Sequence, residues 1–118
     1  MIYSEVVKIL GAEVLCGEDM LGQEVFNACA SDMMSDVLAF AKEYCLLLTG
    51  LVNQQVIRTA EMMDIECVCF VRDKTPDQGI IDLAQTKGMM VMKTPLRMFE
   101  ASGRLYSEGL DGKGNANG

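Results

Sequence analysis

The second half of this chain alternates short apolar runs with amphipathic stretches, and this alternation constrains the fold more than any other feature. Residues 45–48 are apolar and are followed by the pair Thr49-Gly50. A stretch with helical spacing of apolar residues comes next. The same order recurs further along, which predicts strands at 45–49, 66–71 and 89–93 and helices at 53–64, 77–87 and 95–108. Strands that alternate with helices in this way form a largely parallel sheet.

The first half adds two strands and two helices to this prediction. We expect a helix over 4–10 and strands at 13–16 and 25–29, which brings the sheet to about five strands. The polar link between the strands at 13–16 and 25–29 is too short for a crossover connection. These two strands are therefore not expected to be parallel neighbours. A further helix should begin after Ser31 or Asp32 and end near Tyr44, with Asp36 in its first turn and a buried stripe at Met34, Val37, Leu38 and Ala41.

Length and charge indicate a single soluble domain. The chain has 118 residues and a net charge of −7, and its longest apolar runs are far too short to span a membrane. We therefore expect a cytoplasmic protein with one domain over 1–110 and a disordered, glycine-rich tail over 111–118. The ten basic residues are scattered, which argues against nucleic acid as a partner but leaves small anions open.

The five cysteines are predicted to be free thiols packed as small apolar side chains. They fall mostly within the predicted strands, at Cys16, Cys29, Cys45, Cys67 and Cys69. A metal site usually needs histidine or paired C-x-x-C spacings, and this sequence has neither. No metal or other cofactor is therefore expected.

Polar residues gather where the predicted strands end, and they form the candidate ligand site. Carboxyl ends of parallel strands share one edge of the sheet, next to helix N-termini that attract anions. Hydroxyls, a glycine and two cations there suggest a site for a small anionic, nucleotide-like ligand, formed by Ser31, Asp32, Thr49, Gly50, Asn53, Arg72, Lys74 and Thr94. The alternative is ordinary loop and capping chemistry, since the same residue types are common in turns. Arg58 is either a solvated helix residue or a ligand or interface arginine.

The motifs of common enzymes do not occur. The sequence has no histidine for acid–base chemistry at neutral pH, no phosphate-binding loop, no dinucleotide fingerprint and no nucleophile elbow. Asp32 and Asp36 lie four residues apart but are better explained as helix-capping groups. We therefore predict no catalytic residues.

Four segments resemble the DRTGG-domain family. They are residues 31–38, residues 48–51, Arg58-Thr59-Ala60-Glu61-Met62 and residues 70–76. The chain is most similar to small stand-alone members related to HPr serine kinase and found among iron-hydrogenase genes. Where the family usually has Gly-Asp-Arg this chain has Gly50-Leu51-Val52-Asn53, and where Thr-Gly-Gly is usual it has Val71-Arg72-Asp73.

The resemblance implies a three-layer α/β/α fold, like the N-terminal domain of HPr kinase, and a regulatory, ligand-sensing role in a homodimer. The alternative is an interaction module without a small-molecule ligand, acting as accessory partner of a redox enzyme such as an iron hydrogenase. Met33, Met62 and Met89 separate these hypotheses, because an exposed methionine surface would favour the interaction module.

Overall fold

A computed structural model describes residues 1–111, and the predicted tail over 111–118 lies outside the described residues except for Asp111. Within them the strands are β1 Glu13–Cys16, β2 Ala28–Ala30, β3 Leu46–Thr49, β4 Cys67–Phe70 and β5 Met90–Lys93. The helices are α1 Tyr3–Leu10, α2 Met34–Phe40, α3 Gln54–Met62, α4 Gln78–Thr86 and α5 Met98–Ser107. A short 3-10 turn, Glu18–Met20, follows β1.

The strands form one five-stranded sheet in the order β1-β5-β4-β3-β2. The four strands β2 to β5 are parallel, and only β1 runs antiparallel, beside β5. The mostly parallel sheet is therefore confirmed. β1 and β2 lie at opposite edges of the sheet, so they are not parallel neighbours, as predicted.

Helices cover both faces of the sheet and produce two apolar layers. On one face α1 and α5 pack on Leu46, Leu48, Cys69 and Met92. On the other face α2, α3 and α4 pack on Leu47, Val68, Phe70 and Val91. Because β3 and β4 are covered on both sides, every residue in them is buried, as in parallel sheets generally. The three-layer α/β/α architecture is confirmed.

The structure corrects two predicted elements in the first half. The second strand begins at Ala28 rather than residue 25, because the N–H of Val25 donates to the Met1 carbonyl (2.8 Å). α2 ends at Phe40 rather than near residue 44, and its core stripe is narrower than predicted. Val37 is fully buried there, but Leu38 is 44% exposed.

All five cysteines are free, and four are buried, which confirms their packing role. Burial raises the pKa of the Cys45 and Cys69 thiols to about 12. Thiols with such a pKa stay protonated near neutral pH, so they are poor nucleophiles and poor metal ligands. In the described part of the chain no cluster of histidine, cysteine or acidic residues could hold a metal ion.

Candidate functional site

The loops that follow β2, β3, β4 and β5 meet at one edge of the sheet. The register places Thr49 beside Phe70 and Phe70 beside Lys93, so the last residues of three strands lie side by side. β2 joins this edge through Ala30, which pairs with Leu48. The segments that follow therefore contact each other although they are far apart in sequence.

The Gly50 peptide lies at the centre of this edge and is held from both sides. The Asp32 carboxylate, from the loop after β2, accepts a hydrogen bond from the Gly50 N–H at 2.6 Å. The Lys74 ammonium, from the loop after β4, donates to the Gly50 carbonyl oxygen at 2.7 Å. The turn after β3 thus joins an anion and a cation supplied by its two neighbouring loops.

The guanidinium of Arg72 lies against the Cα of Gly50. A Cβ at residue 50 would be 2.6 Å from Arg72 Nη2 and 3.3 Å from Asp32 Oδ1, so any larger residue must displace the arginine side chain. Glycine at position 50 therefore permits the close approach of Arg72 and Asp32 to the backbone of this residue.

The loop that carries Arg72 and Lys74 has an uncommon backbone. Arg72 and Asp73 both have positive φ, 61° and 57°, a region that non-glycine residues rarely adopt. Their N–H groups donate to the carbonyls of Leu96 and Thr94, each at 2.8 Å. These hydrogen bonds fix the loop to the segment after β5, and the exposed Arg72 and Lys74 side chains extend from a fixed base.

Thr49 and Ser31 support the site through hydrogen bonds to nearby groups. The buried Thr49 hydroxyl donates to Asp32 Oδ1 at 3.3 Å and accepts from the N–H of Leu51 at 3.1 Å. The Ser31 hydroxyl accepts from the Met33 N–H at 3.0 Å. The expectation that Ser31 or Asp32 caps α2 is wrong, because Met33 is the N-cap and makes no side-chain cap hydrogen bond.

Two helices begin at this edge with side-chain caps. Asn53 Oδ1 accepts from the N–H of Val56 at 3.1 Å at the start of α3, and Asp77 Oδ1 accepts from the N–H of Ile80 at 3.0 Å at the start of α4. The positive ends of both helix dipoles therefore add to the field of Arg72 and Lys74.

Two predicted site residues lie apart from the Gly50 turn. Arg58 is exposed on α3, one turn beyond Gln54. Thr94 is fully buried, and its hydroxyl donates to the Leu10 carbonyl at 2.7 Å while accepting from the Leu96 N–H at 3.2 Å. The structure thus brings together Asp32, Thr49, Gly50, Arg72 and Lys74, with Ser31 and Asn53 beside them.

Sequence reasoning missed two further cations at the same edge, Lys93 and Arg97. The Lys93 ammonium lies 3.6 Å from the Asp73 carboxylate and donates to Thr75 Oγ1 at 3.0 Å. Arg97 is the N-cap residue of α5. Together with Arg72 and Lys74 they are four of the ten basic residues in a chain of net charge −7. Lys93 and Arg97 could have been predicted from the sequence, because they lie at the end of a predicted strand and just before a predicted helix, as Arg72 and Lys74 do.

The three methionines named above do not behave alike. Met33 and Met62 are 61% and 71% exposed, while Met89 is buried at 4%. Two of the three thus lie at the surface of the layer that contains α2 and α3.

The fold and its loops define an open α/β domain whose strand-end loops converge on one glycine peptide. The DRTGG domain model matches residues 5–107, and the chain therefore belongs to the DRTGG domain family. No curated protein sequence matches it significantly. None of the helices in residues 1–111 is long and apolar enough to cross a membrane.

One solved structure with the same fold contains the CBS and DRTGG domains of the regulatory region of Clostridium perfringens pyrophosphatase, complexed with the activator diadenosine tetraphosphate. The match has a TM-score of 0.68 at 20% identity and covers 85% of this chain and 44% of that one. This chain thus spans less than half of that structure, and the likeness shows the fold alone.

Arg72 and Asp73 differ from the residues that are usual in the family, but their backbone conformation is one that glycine adopts readily. By the resemblance described under Sequence analysis, Arg72 and Asp73 stand where a glycine pair is usual, and both have the left-handed φ that glycine adopts freely. The loop conformation is therefore compatible with the family pattern, while its side chains add a cation and an anion that glycines lack.

Proposed function

We propose that this protein is a non-catalytic regulatory domain that senses a small anionic, nucleotide-like ligand at the turn around Gly50. The observation that carries the proposal is the convergence of Arg72 and Lys74 on the Gly50 peptide, beside the capped N-terminus of α3. Phosphate groups are bound in proteins by such a combination of guanidinium, ammonium and helix N-terminus.

The contacts within the site indicate how an anion would bind. Lys74 uses one of its three N–H donors on the Gly50 carbonyl, which leaves two for a ligand. Arg72 is exposed, and its planar guanidinium can bind two phosphate oxygens at once. The ligand would therefore lie over Gly50, between the loops after β2 and β4.

Asp32 adds a second requirement to the ligand. Its Oδ1 accepts both hydrogen bonds from the β3 turn, and the exposed carboxylate keeps a further oxygen to accept a hydroxyl or amino group. A bare phosphate would bring its own negative charge to this carboxylate and offer it no neutral hydroxyl or amino group. A nucleotide offers both a phosphate and ribose hydroxyls, which is why we favour this ligand class.

The comparison with the pyrophosphatase supports the ligand class. A regulatory region with a domain of this fold was solved with a dinucleotide activator. At 20% identity this suggests which compounds to test first, and it does not assign the ligand or the subsite.

The proposal is tested by titrating the purified protein with diadenosine tetraphosphate, ATP, AMP and inorganic phosphate. A compound that binds only the folded protein at 100 times its Kd adds about 2.7 kcal/mol to stability, which raises Tm by several degrees. We expect a shift with at least one nucleotide and a loss of tenfold or more in its affinity in Arg72→Gln/Lys74→Gln. The matched control is Lys8→Gln/Lys42→Gln, which removes two exposed cations elsewhere. Equal affinity in both double variants would exclude this site.

The second candidate function is the interaction module for a redox enzyme, and the exposed Met33 and Met62 are the observation that favours it. It predicts no shift with any nucleotide and loss of a partner in Met33→Ser/Met62→Ser. Association with hydrogenase genes, a cytoplasmic location and one domain over residues 1–110 stay predictions. Pairing with a second copy also stays a prediction.

A further inference from the structure

The strand β2 forms one edge of the sheet, and it lacks the features that usually protect a sheet edge from pairing with another chain. Its residues, Ala28-Cys29-Ala30, include no charged side chain and no proline. At the opposite edge, β1 begins with the exposed Glu13, and its register with β5 shifts between Val14 and Cys16. Charges and irregular registers discourage further pairing, so only β1 is protected in this way.

The backbone of β2 presents hydrogen-bonding groups to the outside of the sheet. The N–H of Ser31 donates inward to the Leu48 carbonyl at 3.1 Å. The N–H of Ala28 points outward and donates to the Asp111 carbonyl at 2.8 Å. Because backbone groups alternate in direction along a strand, the N–H and C=O of Ala30 also point outward. Ala30 is exposed, and within residues 1–111 no backbone group pairs with it on this side.

An apolar groove lies beside this edge, between β2 and α5. It has a volume of about 110 Å³, and its walls include Ala28, Ala30, Leu48, Leu105 and Tyr106. Pockets for drug-sized ligands usually have about 300–1,000 Å³, so this groove suits one aliphatic side chain rather than a small molecule. A strand placed beside β2 would direct every second side chain toward α5, and one of them would enter the groove.

The charges of this part of the chain are negative. Residues 9–41 contain six carboxylates and no lysine or arginine. Burial, followed by the negative charge of Asp36, raises the pKa of the Cys29 thiol, so the Asp36 carboxylate of α2 lies close to β2. Cys29 packs on the α2 side of the sheet, whereas Ala28 packs on the α5 side. An added strand would therefore meet an apolar groove on one side and a carboxylate on the other.

We propose that the β2 edge binds an extended, basic segment of a partner protein, which adds a strand beside Ala30 and places one aliphatic side chain in the groove next to α5. In this mode of recognition, main-chain hydrogen bonds supply affinity and the alternate side chains supply selectivity. The segment alternates aliphatic and basic residues, because its basic side chains face Asp36. Binding requires neither a ligand over Gly50 nor the exposed Met33 and Met62, so it goes beyond both functions proposed above.

Fluorescence anisotropy with synthetic peptides and the unaltered protein tests the proposal. The probe is a labelled peptide, Lys-Val-Lys-Val-Lys-Val-Lys, and it should bind at least tenfold more tightly than the same peptide with glutamate in place of lysine. Two further peptides carry N-methyl groups on all valines or on all lysines. Only one of these alternate sets of N–H groups faces β2, so one N-methylated peptide should lose affinity at least tenfold and the other should keep it.

Variants at residue 30 locate the contact on the protein. Ala30→Pro removes the outward N–H, and proline is tolerated on edge strands where the N–H faces solvent, so Tm should change little. Affinity for the lysine peptide should fall at least tenfold. Ala30→Ser is the matched control, because it keeps the N–H, and it should bind as the unaltered protein does. Asp36→Asn should weaken binding about threefold, whereas Asp64→Asn, at an exposed residue elsewhere, should not.

Several results would overturn the proposal. They are the absence of binding by the lysine peptide, equal affinity for the lysine and glutamate peptides, equal affinity for both N-methylated peptides, and equal affinity of the two residue-30 variants. A dimer of this chain that Ala30→Pro dissociates would assign the edge to a second copy and would overturn it as well. The peptide comparisons use the unaltered protein, so they decide the matter even if proline lowers Tm.

Discussion

Two threonines at strand ends, Thr49 on β3 and Thr94 just after β5, form the same local turn and serve different parts of the molecule. Both are buried, and each hydroxyl oxygen accepts the backbone N–H two residues later, at 3.1 and 3.2 Å. Their hydroxyl protons go to different acceptors. Thr49 donates to the exposed Asp32 carboxylate, and Thr94 donates to the buried Leu10 carbonyl.

The difference shows that a strand-end threonine predicts a turn without predicting what the turn does. Leu10 is the last residue of α1, where helix carbonyls lack partners within the helix, so Thr94 joins that helix end to the sheet. Thr49 instead orients a carboxylate at the edge where Arg72 and Lys74 lie. The acceptor of the hydroxyl proton, which is distant in sequence, therefore determines whether such a threonine stabilises the fold or orients a side chain of the candidate site.

Replacing each threonine by valine should produce the largest contrast. Thr94→Val leaves the Leu10 carbonyl and the Leu96 N–H without their buried partner, and we expect a loss of about 2–3 kcal/mol in the free energy of unfolding. Thr49→Val should cost about 1 kcal/mol, because water can reach the Asp32 carboxylate. Urea denaturation of both variants measures the difference. Equal losses would mean that the two turns contribute alike to stability.

Gly50→Ala should separate binding from stability at the β3 turn. Its Cβ would lie 2.6 Å from Arg72 Nη2, so the arginine side chain must move although the fold can remain. We expect a change in stability below about 1 kcal/mol and a loss of about tenfold or more in affinity for the nucleotide found to bind in the titration proposed above. Binding is measured by calorimetry.

Gly79→Ala is the matched control for this substitution. Its Cβ would lie 3.2 Å from Gln54 Nε2, the end of a flexible side chain, and alanine favours the helix that contains it. This variant should keep full affinity. If both alanines reduced affinity equally, the arginine contact at Gly50 would not explain the loss.

The sequence predicted the helices and strands well because these depend on local apolar spacing, whereas the three-layer arrangement was implied by the family resemblance. The parallel strands and the starts of α3 and α4 follow from runs and caps within a few residues, such as Asn53 and Asp77. The edge to which the loops converge also follows from parallel order alone. These features were predictable without knowledge of any distant contact.

The parts that were not predictable depend on contacts between distant residues. Asp32 is a residue type that often caps helices. Its carboxylate instead accepts a hydrogen bond from the N–H of Gly50, eighteen residues away. Thr94 pairs with Leu10 across 84 residues. The late start of the strand predicted over 25–29 likewise reflects the hydrogen bond from the Val25 N–H to the Met1 carbonyl. A local sequence pattern cannot show whether a polar side chain bonds to a group nearby in sequence or to a distant group that the fold brings close.

Asp32→Asn tests whether the negative charge of this carboxylate controls which anions bind at the β3 turn. Asparagine keeps an acceptor for the Gly50 N–H but removes a negative charge beside the proposed anion, so inorganic phosphate should bind about tenfold more tightly, or ~1.4 kcal/mol. Preference for nucleotides over phosphate should fall accordingly. Asp64→Asn changes net charge equally at an exposed residue elsewhere and should have little effect. Unchanged phosphate affinity in Asp32→Asn would exclude the carboxylate as a selectivity element.

The smallest expected effect comes from Asp73→Gly, in the loop that connects the two threonine turns. The N–H of Asp73 donates to the Thr94 carbonyl, while its neighbours Arg72 and Lys74 contact Gly50. Glycine adopts φ of 57° without strain, which should add about 1 kcal/mol, and its greater freedom in the unfolded chain should offset about half of this gain. The exposed Lys93–Asp73 ion pair, at 3.6 Å, contributes little to stability.

Asp73→Gly should therefore stabilise the fold by about 0.5 kcal/mol in urea denaturation and also release Lys93. Asp64→Gly is the control, since Asp64 has φ of 55° and lies outside the site. Both variants should gain similar stability from the backbone, but only Asp73→Gly should raise affinity for the nucleotide that binds, about twofold, because Lys93 loses its anionic partner. A loss of affinity in Asp73→Gly alone would mean that the rigid backbone of this loop, rather than its net charge, governs binding over Gly50.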